Sequence, residues 1–282
     1  MFPIYTKTRI SDSLYSIAER HSERGMTVMM YLVIGSERTA LIDSGFGLTD
    51  TLRDIVEEIT PLPVICLVAH GHPDHVGAAA LFDKVYMSRR DEPLLPISLS
   101  AGRRLEDAEH GGASEELLAH MREHMVMPEK LEYEDIDGGA SVELGGKTLE
   151  VFAIPGHTAG SLAFYNRRDN YALTSDCFCS RTALVTLPPE KRAGITAYRD
   201  GLARFLGAIN DDTALFWGHG AAPLPLSIPR DMREACDEVL RGETKRDRPS
   251  VNRFTQRASA AGKRMMEHDR GGVTLVYDAN TL

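Results

Sequence analysis

The chain has 282 residues, a formal net charge of −9 and 43% hydrophobic residues, a balance typical of globular proteins with a sizeable buried core. An acidic chain lacks the basic face that duplex nucleic acid requires, so we expect no nucleic-acid partner. No apolar run approaches the length of a membrane span, and the first residues lack the pattern of a secretory signal. The four cysteines are too few and too irregularly spaced for a disulfide framework. We therefore expect a cytoplasmic protein with reduced thiols and no membrane association.

The first part of the chain predicts a hairpin, a helix and a buried strand. Residues 27–34 (TVMMYLVI) and 39–42 (TALI) are apolar runs separated by a Gly-Ser turn, which favours a β-hairpin. Residues 48–60 carry apolar side chains at helical spacing. Residues 63–69 (PVICLVA) form an apolar run of buried-strand length, and a histidine-rich segment begins where this run ends.

Residues 89–128 differ from their surroundings, because leucines and methionines at helical spacing are interrupted there by prolines and glycines. This pattern predicts a helical insertion. Further strands are predicted at 140–144, 148–154, 161–165, 171–174 and 213–217, with helices at 195–209 and 229–240. Residues 221–270 are expected to form a helical extension, with a helix over 252–266, that ends in a short strand at 273–277. The alternation favours one α/β (α+β) domain over 1–282, with two sheets covered by helices.

The segment His70-Gly71-His72-Pro73-Asp74-His75 carries three imidazoles and one carboxylate within six residues. On a loop that leaves a strand these side chains can converge, and glycine and proline favour a loop. Neutral imidazole suits zinc, iron and other borderline divalent metals, while the carboxylate compensates charge. Because four ligands on one loop cannot all bind one ion, we expect further ligands elsewhere.

Three further candidates share one context, since each follows the end of a predicted strand. His157 lies in Pro-Gly-His-Thr-Ala-Gly-Ser, Asp176 follows strand 171–174, and His219 lies in Trp-Gly-His-Gly. Glycine beside two of them allows close backbone approach. The repetition of one pattern favours a metal site over incidental turn residues.

With these residues the chain resembles the metallo-β-lactamase fold superfamily. The matching positions are Asp43 in Leu-Ile-Asp-Ser-Gly, the motif at 70–75, His157, Asp176 and His219, in the family's order. The resemblance implies a four-layer αββα sandwich with the metals at one edge of the two sheets. It also implies that the helical insertion at 89–128 covers the active-site edge as a substrate cap.

Carried over residue by residue, the resemblance assigns the first metal to His70, His72 and His157, the second to Asp74, His75 and His219, and a bridge to Asp176. Asp43 would orient ligands without binding metal. Two divalent cations are implied, zinc first, with iron or manganese as alternatives. A hydroxide shared by the two metals would be the nucleophile, and Asp74 would orient it or carry its proton.

The substrate is expected to be a small ester, thioester, lactone or phosphodiester. A bridging aspartate and the lack of a secretory signal disfavour a true β-lactamase. Gly220-Ala221-Ala222-Pro223 follows His219 where glutathione-thioester hydrolases of the fold carry Glu and Tyr, which disfavours a glutathione thioester. Cys177-Phe178-Cys179 follows the bridging residue where lactonases carry a Tyr.

The alternative function is an oxidoreductase that resembles the mononuclear-iron persulfide dioxygenases of the same fold. The two-iron flavin-dependent type is disfavoured because it carries an acidic residue at the position of His72. The insertion supplies Arg103, Arg104, His110, His120 and His124, of which some are expected to face the pocket. No oligomeric state and no role for Cys177 and Cys179 beyond packing follow from the sequence.

Overall fold

The computed structural model describes residues 3–21, 26–184 and 193–282. Seven strands form the first sheet, and they follow one another across it in chain order: β1 (Tyr5–Arg9), β2 (Leu14–Arg20), β3 (Thr27–Ile34), β4 (Thr39–Ile42), β5 (Val64–Val68), β6 (Val85–Met87) and β7 (Glu134–Asp135). The strands β1 to β4 pair antiparallel, and β4 to β7 pair parallel. Parallel neighbours need crossover connections, which here contain α1 (Leu52–Glu57) and α2 (Pro73–Val76).

The continuous apolar run of β3 reflects burial on both faces of the first sheet. Met29, Tyr31 and Val33 point into the core between the two sheets. Met30 and Leu32 point to the other face, where they pack with apolar residues of α1 and α2. Because successive side chains of a strand alternate between faces, a strand covered on both sides has no polar alternation.

The segment 89–128 is helical, with a 3₁₀ turn at Arg89–Leu94 followed by α3 (Leu95–Ser98), α4 (Ala101–His110) and α5 (Glu115–His124). Leu117 and Met121 of α5 pack against Val28, Phe46 and Leu48. These partners lie at the end of the first sheet where β4 terminates, so the insertion rests on that end. Its function as a substrate cap stays a prediction.

Six strands form the second sheet: β8 (Ser141–Glu143), β9 (Thr148–Ala153), β10 (Leu162–Asn166), β11 (Tyr171–Ser175), β13 (Ala214–Trp217) and β14 (Gly220–Leu224), with β12 (Arg181–Ala183) leaving for a third sheet. Their spatial order is β14-β13-β11-β10-β9-β8. Phe164 and Leu173 of this sheet meet Tyr31 and Leu67 of the first in one core. Helices α6 (Ala193–Ala208) and α7 (Ser227–Leu240) pack on the opposite face. The predicted αββα sandwich is confirmed.

The C-terminal region differs from the helical extension expected over 221–270. Helix α8 (Arg253–Ala260) is shorter than predicted, and β15 (Arg248–Pro249), β16 (Met265–Arg270) and β17 (Val273–Asp278) join β12 in a four-stranded sheet. The physical reason is a tight hairpin: Gly271 and Gly272 connect β16 to β17, and Gly271 has a φ of 53°. A two-residue Gly-Gly loop is a strong hairpin signal that outweighs helical spacing. No helix in the described part of the chain has both the length and the apolar character to cross a bilayer.

Candidate metal centre

Asp43, the 70–75 motif and the other candidate ligands each follow the carboxyl end of a strand. Asp43 follows β4, the motif follows β5, His157 follows β9, Asp176 follows β11 and His219 follows β13. Strands β4 and β5 are parallel, as are β11 and β13, and β9 runs in the same direction as β11 because both are antiparallel to β10. Strands with a common direction end at a common edge, which brings these residues together.

The first group consists of His70, His72 and His157, each with one ring nitrogen within 4.8 Å of the others. The Nδ1 atom of His72 lies 2.9 Å from the Nε2 atom of His157. Burial lowers the pKa of all three imidazoles, and the pKa of His157 falls to about 4. Three neutral imidazoles that converge on one point form a donor set suited to zinc or iron.

The second group consists of Asp74, His75, Asp176 and His219, again within 4.8 Å of one another. The Nε2 atom of His219 lies 3.0 Å from Oδ2 of Asp176 and 3.4 Å from Oδ2 of Asp74. The same Oδ2 atom of Asp176 lies 3.8 Å from Nε2 of His157 in the first group. Asp176 is therefore the carboxylate between the two groups.

Electrostatics separate the second group from the first. Burial opposes ionisation of the Asp74 and Asp176 carboxyls, but the adjacent His75 and His219 outweigh it and hold both carboxyl pKa values below their usual range. Burial likewise opposes protonation of His219, yet Asp176 and Asp74 raise its pKa to about 9. Without a metal, protonated His75 and His219 thus balance the two carboxylates, and a bound cation would take the place of those protons.

Unpartnered buried atoms test whether this donor set fits metal ions. The Nε2 atoms of His70 and His75 and the Oδ1 atom of Asp176 have no hydrogen-bond partner among the described residues. The Nε2 atom of His75 lies 3.4 Å from Asp74 and 3.6 Å from Asp176, in contacts that are not hydrogen bonds. A buried polar atom without a partner costs about 1–3 kcal/mol, and coordination of a cation removes that cost. These residues fit a metal centre.

Asp43 hydrogen-bonds the His75 imidazole, and ligand atoms of Asp43, His70 and His75 lie within 4.8 Å of one another. Its Oδ2 atom accepts hydrogen bonds from Nδ1 of His75 at 2.8 Å and from the Ser175 hydroxyl at 2.7 Å, and its Oδ1 atom accepts from the Ala69 amide at 2.7 Å. With Nδ1 as donor, His75 would present the lone pair of Nε2 to a bound cation. His219 is held in the same manner, since its Nδ1 lies 3.0 Å from the Thr27 carbonyl oxygen.

Three residues at the site stand out by their backbone geometry. A Cβ atom on Gly218 would lie 2.2 Å from Oδ1 of Asp176 and 2.9 Å from the His75 ring, so only glycine fits beside His219. Asp43 and Ser175 have φ angles of 63° and 45°, which non-glycine residues rarely adopt. Such strain concentrates at functional sites.

Three polar residues of the insertion lie outside the metal-ligand groups of the described residues. Arg104 is fully buried and donates to the carbonyl oxygens of Phe46, Gly47 and Val126, so it ties α4 to the loop after β4 and does not line a pocket. His120 and His124 stack on each other with ring centroids 4.5 Å apart, and neither belongs to a ligand group of the described residues.

The two cysteines beside Asp176 are outside those groups as well. Cys177 is buried, and Cys179 donates to the Arg181 carbonyl oxygen at 3.0 Å.

Two residues near the site have no signal in the sequence. Ser175 donates to Asp43 from the end of β11, 132 positions away in the chain. Asp91, in the 3₁₀ turn that opens the insertion, is fully buried against the loops that carry His70 and His157. A buried acidic residue in a segment rich in exposed charge cannot be recognised by spacing.

Comparison with known proteins agrees with this geometry. Residues 24–246 match the family model of the metallo-beta-lactamase superfamily. The human acyl-coenzyme A thioesterase MBLAC2 is 24% identical over 203 residues, which cover 65% of this chain and 70% of that protein. The hydroxyacylglutathione hydrolase GloC of Haemophilus influenzae is 26% identical over 191 residues, 66% of this chain and 81% of that protein.

Solved structures show the same fold. A beta-lactamase domain protein from Burkholderia ambifaria superposes with a TM-score of 0.61 at 19% identity, over 97% of this chain and 95% of that chain. A metallo-beta-lactamase from Pontibacter korlensis superposes with a TM-score of 0.55 at 16% identity, over 83% of this chain and 99% of that chain. The family model spans most of the chain, and the chain therefore belongs to the metallo-beta-lactamase superfamily and is a hydrolase of that superfamily.

Proposed function

We propose that this enzyme hydrolyses an acyl thioester of a small molecule at a centre of two divalent cations, zinc first. The observation that carries the proposal is the pair of adjoining donor groups, His70, His72 and His157 on one side and Asp74, His75 and His219 on the other, with Asp176 between them. The buried unpartnered atoms of both groups support two ions over one.

The thioester is favoured over the other bond types by the relatives. The two relatives described above are named for the hydrolysis of thioesters, one as an acyl-coenzyme A thioesterase and the other as a hydroxyacylglutathione hydrolase. The residues after His219 extend as β14 (Gly220–Leu224), without the Glu and Tyr expected of a glutathione enzyme. We therefore propose a carrier other than glutathione.

Two divalent cations in these groups would lower the pKa of a water molecule and polarise the substrate carbonyl. The chain's own contribution begins with access: the side chains of Asp74, His157, Asp176 and His219 are 15–25% exposed, so this side of the centre faces the substrate. His75, by contrast, is fully buried and is held by Asp43. The exposed face admits substrate while the buried face fixes the donors.

Asp74 is the proposed proton carrier. Its carboxyl pKa is low, because His75 and His219 outweigh the effect of burial, so Asp74 is an acceptor near neutral pH. In the proposed reaction a water oxygen attacks the acyl carbon, the carbon–sulfur bond breaks, and Asp74 passes the water's proton to the leaving sulfur. The products are a carboxylic acid and a thiol, and no serine or cysteine nucleophile takes part.

The test is a substrate panel for the zinc-reconstituted protein: an acyl-coenzyme A, an acyl-glutathione, a simple ester, a lactone and a phosphodiester. We expect the acyl-coenzyme A to be cleaved fastest, and Asp74→Asn and His72→Ala to remove that turnover. His124→Ala is the matched control, since His124 is 48% exposed and outside the ligand groups.

Two results would overturn the proposal. One is undiminished turnover by Asp74→Asn. The other is one iron per chain together with persulfide-dependent oxygen uptake, which would favour the dioxygenase alternative.

We also propose a cytoplasmic location, which is supported by four free thiols, three of them buried.

A further inference from the structure

Asp91 is a buried carboxylate with an unusual set of partners. It lies in the 3₁₀ turn Arg89–Leu94 and has no exposed surface. Its Oδ2 atom accepts hydrogen bonds from the Gly71 amide at 2.8 Å and from the Thr158 hydroxyl at 2.7 Å. Its Oδ1 atom accepts from the Gly160 amide at 2.7 Å. All three donors lie beside candidate metal ligands.

These contacts join the two loops that carry the first donor group. Gly71 stands between His70 and His72, while Thr158 and Gly160 follow His157. The two loops come from different sheets, since one follows β5 and the other follows β9. A single carboxylate therefore spans the gap between the sheets at the point where their three imidazoles meet.

The two glycines are shaped to this carboxylate. A Cβ atom on Gly160 would lie 2.7 Å from Cγ and 2.9 Å from Oδ1 of Asp91. A Cβ atom on Gly71 would lie 3.0 Å from Cβ of Asp91. Neither glycine has a positive φ, so close approach to Asp91, and not backbone conformation, accounts for them. Thr158 is fixed in turn by Ser161, whose hydroxyl accepts from the Thr158 amide at 3.0 Å.

The hydrogen bonds to Asp91 occupy both of its carboxyl oxygens. Three donors converge on two oxygen atoms, and among the described residues Asp91 forms no ion pair with a lysine, arginine or histidine. A buried charge without a counter-ion persists where hydrogen bonds stabilise it and where the surrounding structure needs it. An apolar side chain at this position would leave the Gly71 and Gly160 amides and the Thr158 hydroxyl without this acceptor.

We propose that Asp91 is a positioning residue of the metal centre, which fixes the loop of His70 and His72 against the loop of His157 and thereby sets the geometry of the first donor group. It also links the helical insertion to that group, because the same turn begins the insertion. This inference rests on the metal centre proposed above.

Asp91→Asn tests the proposal with almost no change of shape. An amide offers one acceptor oxygen and one NH₂ group, so one backbone N–H, of Gly71 or of Gly160, must face a donor. We expect the dissociation constant for at least one of two zinc equivalents to rise about 10- to 100-fold, the range for outer partners of metal ligands. The measurement is competition between the apoprotein and a chromogenic chelator, which needs no turnover.

Thr158 provides a graded second test that does not depend on the folding of Asp91→Asn. Thr158→Val removes the hydroxyl donor and keeps the shape, whereas Thr158→Ser keeps the donor. We expect zinc affinity to fall in Thr158→Val and to be retained in Thr158→Ser. Equal affinities in these two variants would count against the proposal.

Asp247→Asn is the matched control. Asp247 is a buried carboxylate that accepts hydrogen bonds from Tyr277 at 2.7 Å and lies 2.8 Å from Nδ1 of His268, remote from the ligand loops. Asp247→Asn should lower the free energy of unfolding without weakening the binding of zinc. If Asp91→Asn binds zinc as tightly as the wild type, or loses no more affinity than Asp247→Asn, the inference fails and the metal centre stands. If the wild type binds no zinc, both fail.

Discussion

Replacement of Asp43 by asparagine should weaken the second metal position selectively. The carboxylate of Asp43 accepts from Nδ1 of His75, from the Ser175 hydroxyl and from the Ala69 amide. Asparagine tolerates the positive φ of this position, so the backbone should not change. Its amide oxygen can still accept from Ala69, but its NH₂ group then faces His75. The imidazole must respond by moving its proton from Nδ1 to Nε2.

The size of the effect follows from that proton. A His75 ring protonated at Nε2 cannot coordinate a metal through Nε2, and restoring the Nδ1–H form leaves two donors facing each other in a buried site. Such a misplaced buried donor costs about 1–3 kcal/mol, which corresponds to a loss of about 5- to 150-fold in affinity. Ser175 can rotate its hydroxyl to accept, so it adds little.

The assay is zinc competition on the apoprotein, with the two equivalents resolved, and circular dichroism to verify the fold. We expect one zinc equivalent to bind about 5- to 150-fold more weakly than in the wild type. The other equivalent should keep an affinity near that of the wild type. Asp247→Asn again serves as the matched control. If Asp43→Asn binds both zinc equivalents with wild-type affinity, the assignment of Asp43 as the residue that orients His75 is refuted.

Three further predictions concern stability and are measured by urea unfolding. Hydrogen bonds and charge from its arginine partners lower the carboxyl pKa of Glu267 below the usual 4.5. Glu267 therefore stabilises the folded state above pH 4.5, and this contribution is lost as the pH falls through the lowered pKa. Glu267→Gln should therefore cost about 1–2 kcal/mol at pH 7 and progressively less below pH 4.5; a constant difference would contradict this. Gly160→Ala should lower the free energy of unfolding, because its Cβ would lie 2.7 Å from the buried carboxyl carbon of Asp91. Gly102→Ala in α4 meets nothing within 4 Å and should raise the free energy of unfolding by about 0.5–1 kcal/mol. A change of the same sign in both variants would contradict this prediction. Phe164 is fully buried between the sheets. Phe164→Ala should therefore lower the free energy of unfolding by about 3–5 kcal/mol. A loss below about 1 kcal/mol would contradict the described core.

The elements that the sequence predicted best are those with a strong local pattern. The run 27–34 was expected as a strand and forms β3, and the run 63–69 contains β5. The helical insertion at 89–128 was visible from spacing alone. The sequence does not predict the C-terminal sheet, because residues 252–266 have helical spacing and the strands on either side of the Gly271-Gly272 turn become apparent only when they pair.

In the candidate site, too, the residue types follow from the sequence and their contacts follow from the tertiary structure. The motif at 70–75, with His157, Asp176 and His219, was predicted by sequence, because ligand chemistry requires particular residue types just past strand ends and such residues are recognisable one loop at a time. Their convergence within 4.8 Å, and the hydrogen bonds that orient them, were decided by tertiary structure. Asp91 reaches Gly160 across 69 positions and Ser175 reaches Asp43 across 132. Sequence periodicity describes neighbours a few residues apart, whereas these contacts exist only because two sheets fold against each other.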